Sequence, residues 1–115
     1  MAQEPEPTAA TRVVRDDDLD SYPQDGPVHY QGELFTGDGE DRAFDGTLNL
    51  RTSYLDGRQH GPDREWHPDG TLKTEGFFQH GIPVGVHRAW RPDGTMSQEV
   101  EFSDSGMILR RDSHP

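Results

Sequence analysis

Four histidines, His60, His67, His80 and His87, are the first residues in this chain that could do chemistry, as metal ligands or as acid–base groups. There is no cysteine, so neither a thiolate metal site nor a disulfide framework can form. The histidines also share no column: 24 residues away, His60 meets Val84, His67 meets Arg91, His80 meets Asp56 and His87 meets Asp63. A ligand cluster is therefore not written into the repeating pattern, and no metal is expected. Ser53, Ser97, Ser103 and Ser105 fall on expected strands or turns, and none sits in a nucleophile elbow. Glu99 and Glu101 share one strand face, where a glycosidase-like pair would need a cleft. The glycines are explained by turns and do not precede a helix, as a phosphate-binding loop requires. No enzyme activity and no cofactor are expected.

Recognition chemistry is better represented. Trp66 and Trp90 are each preceded two positions earlier by an arginine, Arg64 and Arg88. Trp and Arg are enriched where protein partners bind most tightly. The competing reading makes the tryptophans the core of a stack, with the arginine stems lying over them. Phe77 stands on a charged strand face beside Lys73 and Glu75, the position of a partner contact.

The elements that position these residues are repeated. Tyr54, Gly57, Gly61, Arg64, Trp66, Asp69 and Gly70 recur 24 residues on as Phe78, Gly81, Gly85, Arg88, Trp90, Asp93 and Gly94. A fixed period of this size marks stacked supersecondary units. Each copy reads as a hairpin. His67-Pro68-Asp69-Gly70 and Arg91-Pro92-Asp93-Gly94 supply a proline for the first central turn position and a left-handed glycine to close it. Asp45-Gly46 is the same signal in an earlier, degraded copy that opens with a strand over Tyr30–Phe35. In that copy Arg42 occupies the tryptophan position and the aromatic is displaced to Phe44, while Gly32 comes one place before the expected turn glycine. The second strands alternate. One face carries Leu48, Leu50, Thr52 and Tyr54, then Leu72, Thr74, Gly76 and Phe78, then Met96, Gln98, Val100 and Phe102. The other is mostly charged. Met107-Ile108-Leu109 predicts a closing strand.

This is an all-β expectation: consecutive antiparallel hairpins of period 24 in one elongated, twisted sheet. The repeat domain is expected over residues 28–111, after a disordered acidic leader at 1–27 and before a frayed tail at 112–115. Four prolines and Asp16-Asp17-Asp18 mark the leader, although Val13-Val14 could add a short edge strand. The chain of 115 residues carries a formal net charge of −11. That excludes nucleic acid as the expected partner, disfavours anionic membranes and suits a basic protein. No apolar run is long enough to span a bilayer and the N-terminus lacks a secretory pattern, so a cytoplasmic location is expected.

Tyr-x-Gly-Glu-Leu at residues 30–34 resembles the opening of a MORN repeat. The two clear copies are similar to the divergent MORN variant of bacterial proteins regarded as antitoxin components of toxin–antitoxin systems. The resemblance runs over residues 30–106. It implies a sheet of consecutive hairpins that acts as a binding surface, and an antitoxin- or immunity-type protein that masks a partner, such as a basic toxin. The alternative is a structural scaffold, a homo-oligomer joined through open sheet edges.

Overall fold

The computed structural model describes residues 12–21 and 26–115. Its architecture follows from two kinds of turn. At residues 43–46, 67–70, 91–94 and 103–106 the glycine N–H donates to the carbonyl three residues back, at 2.9–3.0 Å. Gly46, Gly70, Gly94 and Gly106 have φ of 86–93°, which closes a type I turn with a bulge. The aspartate before the glycine locks the turn: Asp69 Oδ1 accepts the Thr71 N–H at 2.9 Å and the Thr71 hydroxyl at 2.6 Å, and Asp93 holds Thr95 in the same way. Those hydroxyls hold both carboxyls below the usual carboxylate range. At the opposite hairpin ends, Gln31-Gly32, Asp56-Gly57 and His80-Gly81 form two-residue turns with φ positive at both positions, the hand that matches strand twist.

Between the turns run β1 (Val13–Arg15), β2 (Asp20–Ser21), β3 (Val28–Tyr30), β4 (Glu33–Leu34), β5 (Gly37–Arg42), β6 (Leu48–Leu55), β7 (Arg58–Trp66), β8 (Leu72–Gln79), β9 (Ile82–Trp90), β10 (Met96–Phe102) and β11 (Ile108–Ser113). An eight-stranded sheet has the order β1-β5-β6-β7-β8-β9-β10-β11, antiparallel from β5 onward, with β1 parallel to β5 at one edge. The protein is thus all-β and built of consecutive hairpins. A second sheet, β2-β3-β4, packs near the 56–57 turn, where Val28 N–H donates to Gly57 O and Gly57 N–H to Phe35 O, both at 2.8 Å. Phe35, 1% exposed, is the deepest side chain, set between the rings of Tyr30 and Tyr54 at 6.0 and 5.8 Å.

Several expectations change. The segment Tyr30–Phe35 is not one strand of the large sheet. The glycine displaced to Gly32 makes its turn one residue early and folds β3 and β4 into a hairpin of the small sheet. Structure also begins before Val28: β1 pairs with β5, Val14 is buried, and a one-turn 3₁₀ helix at Asp16–Asp18 follows. The rest of the expected leader, residues 1–11 and 22–25, lies outside the described residues. At the other end β11 continues to Ser113, into the expected tail. Phe44 is not a displaced core ring. It holds the turn position that proline takes at 68 and 92, and it is fully exposed.

Strict alternation also fails at the start of each second strand. Register shifts there leave Leu48 opposite Arg42, Leu72 opposite Trp66 and Met96 opposite Trp90. An inserted residue reverses the side-chain alternation, so Leu48 lines a groove with Trp66 rather than standing with Leu50.

Candidate protein-binding face

One row of charged residues crosses all eight strands in register: Arg15, Glu40, Arg51, Arg64, Glu75, Arg88, Glu99 and Asp112. Opposite charges on neighbouring strands bond across the ladder. Arg64 Nε donates to Glu75 at 3.0 Å and Arg88 Nε to Glu99 at 2.7 Å. In the first copy the signs are exchanged: Arg51 donates to Glu40 at 3.1 Å and twice to Asp38, at 2.6 and 2.8 Å. Arg110 adds a bond to Glu99 at 3.1 Å. Hydrogen bonds from Arg88 and then Arg110 hold the Glu99 carboxyl below its ordinary range. We refer to this side as the ion-pair face and to the other as the Tyr54 face.

The exchange in the first copy sets Arg51 directly opposite Arg64. Arg51 is held by its two acids. Among the described residues the Arg64 guanidinium is bonded only through Nε, and its side chain is 46% exposed. Two shallow grooves meet at this point. The first, about 370 Å³, is lined by Trp66, Leu48, Arg51, Ser53, Pro62 and Arg64. The second, about 380 Å³, shares Pro62 and Arg64 and is walled by Phe77 and Val86. Phe77 is half exposed, opposite Val84 on the neighbouring strand.

Three of the residues expected to contact a partner, Arg64, Trp66 and Phe77, therefore gather on adjoining grooves of one face. Arg88 lies one pair further along the ladder, beside Glu75. Trp90 is set apart: no ring contact joins it to Trp66 among the described residues, and its carbonyl accepts a hydrogen bond from the buried His67, whose Nε2 is 2.9 Å away. That bond ties the turn of the second copy to the third. The turn residues Asp45, Gly46, Asp69, Gly70, Asp93 and Gly94 stand where the sequence placed them.

The ion-pair ladder is missed by motif reading, yet it has a signal. Positions 40, 64 and 88 read Glu, Arg, Arg, and positions 51, 75 and 99 read Arg, Glu, Glu. Two columns of complementary sign at the repeat interval announce cross-strand pairs.

The histidines do not converge. His60 and His80 meet, with ring centroids 4.7 Å apart and the His80 N–H donating to His60 Nδ1 at 3.2 Å. His87 lies on the Tyr54 face between the Phe78 and Phe102 rings, at 5.4 and 4.8 Å, in the space that Gly76 leaves. Among the described residues no group of three or more His, Asp or Glu is placed to hold a metal ion, and no helix is long and apolar enough to cross a membrane. Also on the Tyr54 face, burial pushes the Asp16 carboxyl above its ordinary range, reinforced by Asp41, Asp17, Asp63 and Glu40.

No protein-family model, curated protein or solved structure matches this chain.

Proposed function

We propose that the chain is a non-catalytic protein-binding module, a MORN-type repeat protein of antitoxin or immunity kind that masks a basic protein in the cytoplasm. The observation that carries this reading is the pair of adjoining grooves on the ion-pair face, sharing Pro62 and Arg64 and walled by Trp66 and Phe77. A half-exposed Phe77 and a part-buried Trp66 beside an arginine bonded through Nε alone among the described residues, next to the ion pairs of the ladder, have the make-up of a binding hot spot and its rim. The net charge of −11 favours a basic partner overall. The binding class, the masking role and the location rest on this chemistry together with the MORN resemblance.

Co-purification from the native cell, with wild type, Phe77→Ser and Phe44→Ser as baits, tests the reading. One stoichiometric partner that is lost with Phe77→Ser and kept with Phe44→Ser is expected. Equal capture by all three baits would contradict it.

A second reading has its own observation. All six residues of β11 are exposed, and no described strand pairs with its outer edge. Such an edge can accept a second copy and give a structural scaffold. Sedimentation velocity separates the readings: a monomer without partner is expected from the binding module, a concentration-dependent oligomer from the scaffold.

A further inference from the structure

The Tyr54 face carries a groove of its own, about 240 Å³, whose chemistry differs from that of the ion-pair face. It opens where two small residues interrupt neighbouring rows. Gly76 sits between Asp63 and His87, and Ala89 between Thr74 and Gln98. Phe102 and Val100 form the apolar wall.

The groove is rich in acceptors. Among the described residues Asp63 forms no ion pair; its Oδ1 accepts the Thr52 hydroxyl, at 2.7 Å, and no described donor reaches its second carboxylate oxygen. Thr74 and Gln98 make no side-chain hydrogen bond among the described residues, so a hydroxyl and an amide oxygen are also uncommitted. Arg88 contributes to the lining, but its guanidinium is engaged by Glu99. On the ion-pair face, by contrast, Glu40, Glu75 and Glu99 each face an arginine that bonds to them.

We infer that this groove binds one guanidinium or ammonium group, the side chain of an arginine or lysine presented by the partner. The volume fits one side chain and falls below the roughly 300–1,000 Å³ of drug-sized pockets. A carboxylate with a free oxygen gives a charge-assisted bond to such a cation, neutral oxygens take its remaining donors, and the Phe102 ring supplies an aromatic wall. An anion would meet the Asp63 carboxylate, while the Arg88 guanidinium is already taken by Glu99. The inference deepens the masking function and rests on its basic-partner form.

The test uses the full chain and two small probes, N-acetyl-arginine methylamide and its neutral isostere N-acetyl-citrulline methylamide, followed by amide chemical shifts. Saturable shifts centred on Thr74, Gly76, Gln98 and Val100 are expected with the arginine probe. The citrulline probe should bind about tenfold more weakly, the worth of one charge-assisted contact. Asp63→Asn keeps an acceptor for Thr52 and should weaken the arginine probe by about the same factor. Equal binding of the two probes, an unchanged affinity in Asp63→Asn, or no saturable shift in these residues would overturn the inference. Because no partner is needed, failure here leaves the co-purification result standing and separates the two claims.

Discussion

Replacing His67 by alanine should uncouple the second copy from the third. The imidazole is buried at 9% exposure, and its Nε2 stands 2.9 Å from the Trp90 carbonyl. The substitution removes one net hydrogen bond, about 0.5–1.5 kcal/mol, and leaves a carbonyl short of a partner in a partly buried site, about 1–3 kcal/mol if water cannot replace the ring. The Trp90 carbonyl lies near the turn end of β9, where water has some access, so a total of about 1–2 kcal/mol is expected. In a domain of this size each kcal/mol moves Tm by roughly 4–8 °C, which predicts a fall of about 5–15 °C. Thermal unfolding followed by circular dichroism reads it directly, and an unchanged urea m-value would show that the denatured state is not the cause. A fall below about 2 °C would mean that the bond contributes nothing net and that the two copies are not coupled through His67. The first copy has Ala43 where the second has His67 and so lacks this side-chain link. Ala43→His, which places an imidazole in reach of the next copy, is expected to raise Tm.

Other perturbations follow from the same geometry. Phe44→Pro should stabilise by about 0.4–1 kcal/mol through the unfolded state, since Phe44 is fully exposed at the position proline holds in the next two copies; a loss of stability would refute the turn assignment. Gly76→Ala drives a methyl group into the His87 ring and should cost about 1–3 kcal/mol, visible in denaturant unfolding. Asp16 has its pKa raised chiefly by burial, so its protonated form favours the fold. That contribution is full below the ordinary carboxyl value of 3.8 and is lost as pH rises through the higher folded value. Asp16→Asn should therefore raise Tm at neutral pH and leave it nearly unchanged well below pH 3.8. Asp69 and Asp93 have the opposite sign: their contribution is full above 3.8 and is lost as pH falls through their lowered values, so Asp69→Asn should flatten the acid limb of the stability profile.

The residues that carried the fold in the sequence were those with one job. Asp-Gly at 45, 69 and 93 serves a turn whatever surrounds it, and the strands between these turns followed from their alternation. What alternation could not convey was register. The inserted residue at the start of each second strand leaves no mark in residue type, so Leu48, Leu72 and Met96 were assigned by parity. The small sheet was hidden for another reason. Glycine at 32 rather than 33 looks like a flaw in a repeat, but it moves a two-residue turn by one step and releases β3 and β4 from the large sheet. Of the candidate site, Arg64, Trp66 and Phe77 were legible as chemistry. Their meeting around Pro62 was not, because it depends on the register of β6 against β7 and of β7 against β8.

Whether the ion-pair face binds a protein is read from the dissociation constant of the co-purified partner for wild type and for Phe77→Ser. A buried aromatic anchor contributes about 2 kcal/mol or more, so Phe77→Ser should raise Kd roughly 30-fold while Tm stays within a few degrees of wild type. Equal dissociation constants for the two proteins would place the contact elsewhere and contradict the account.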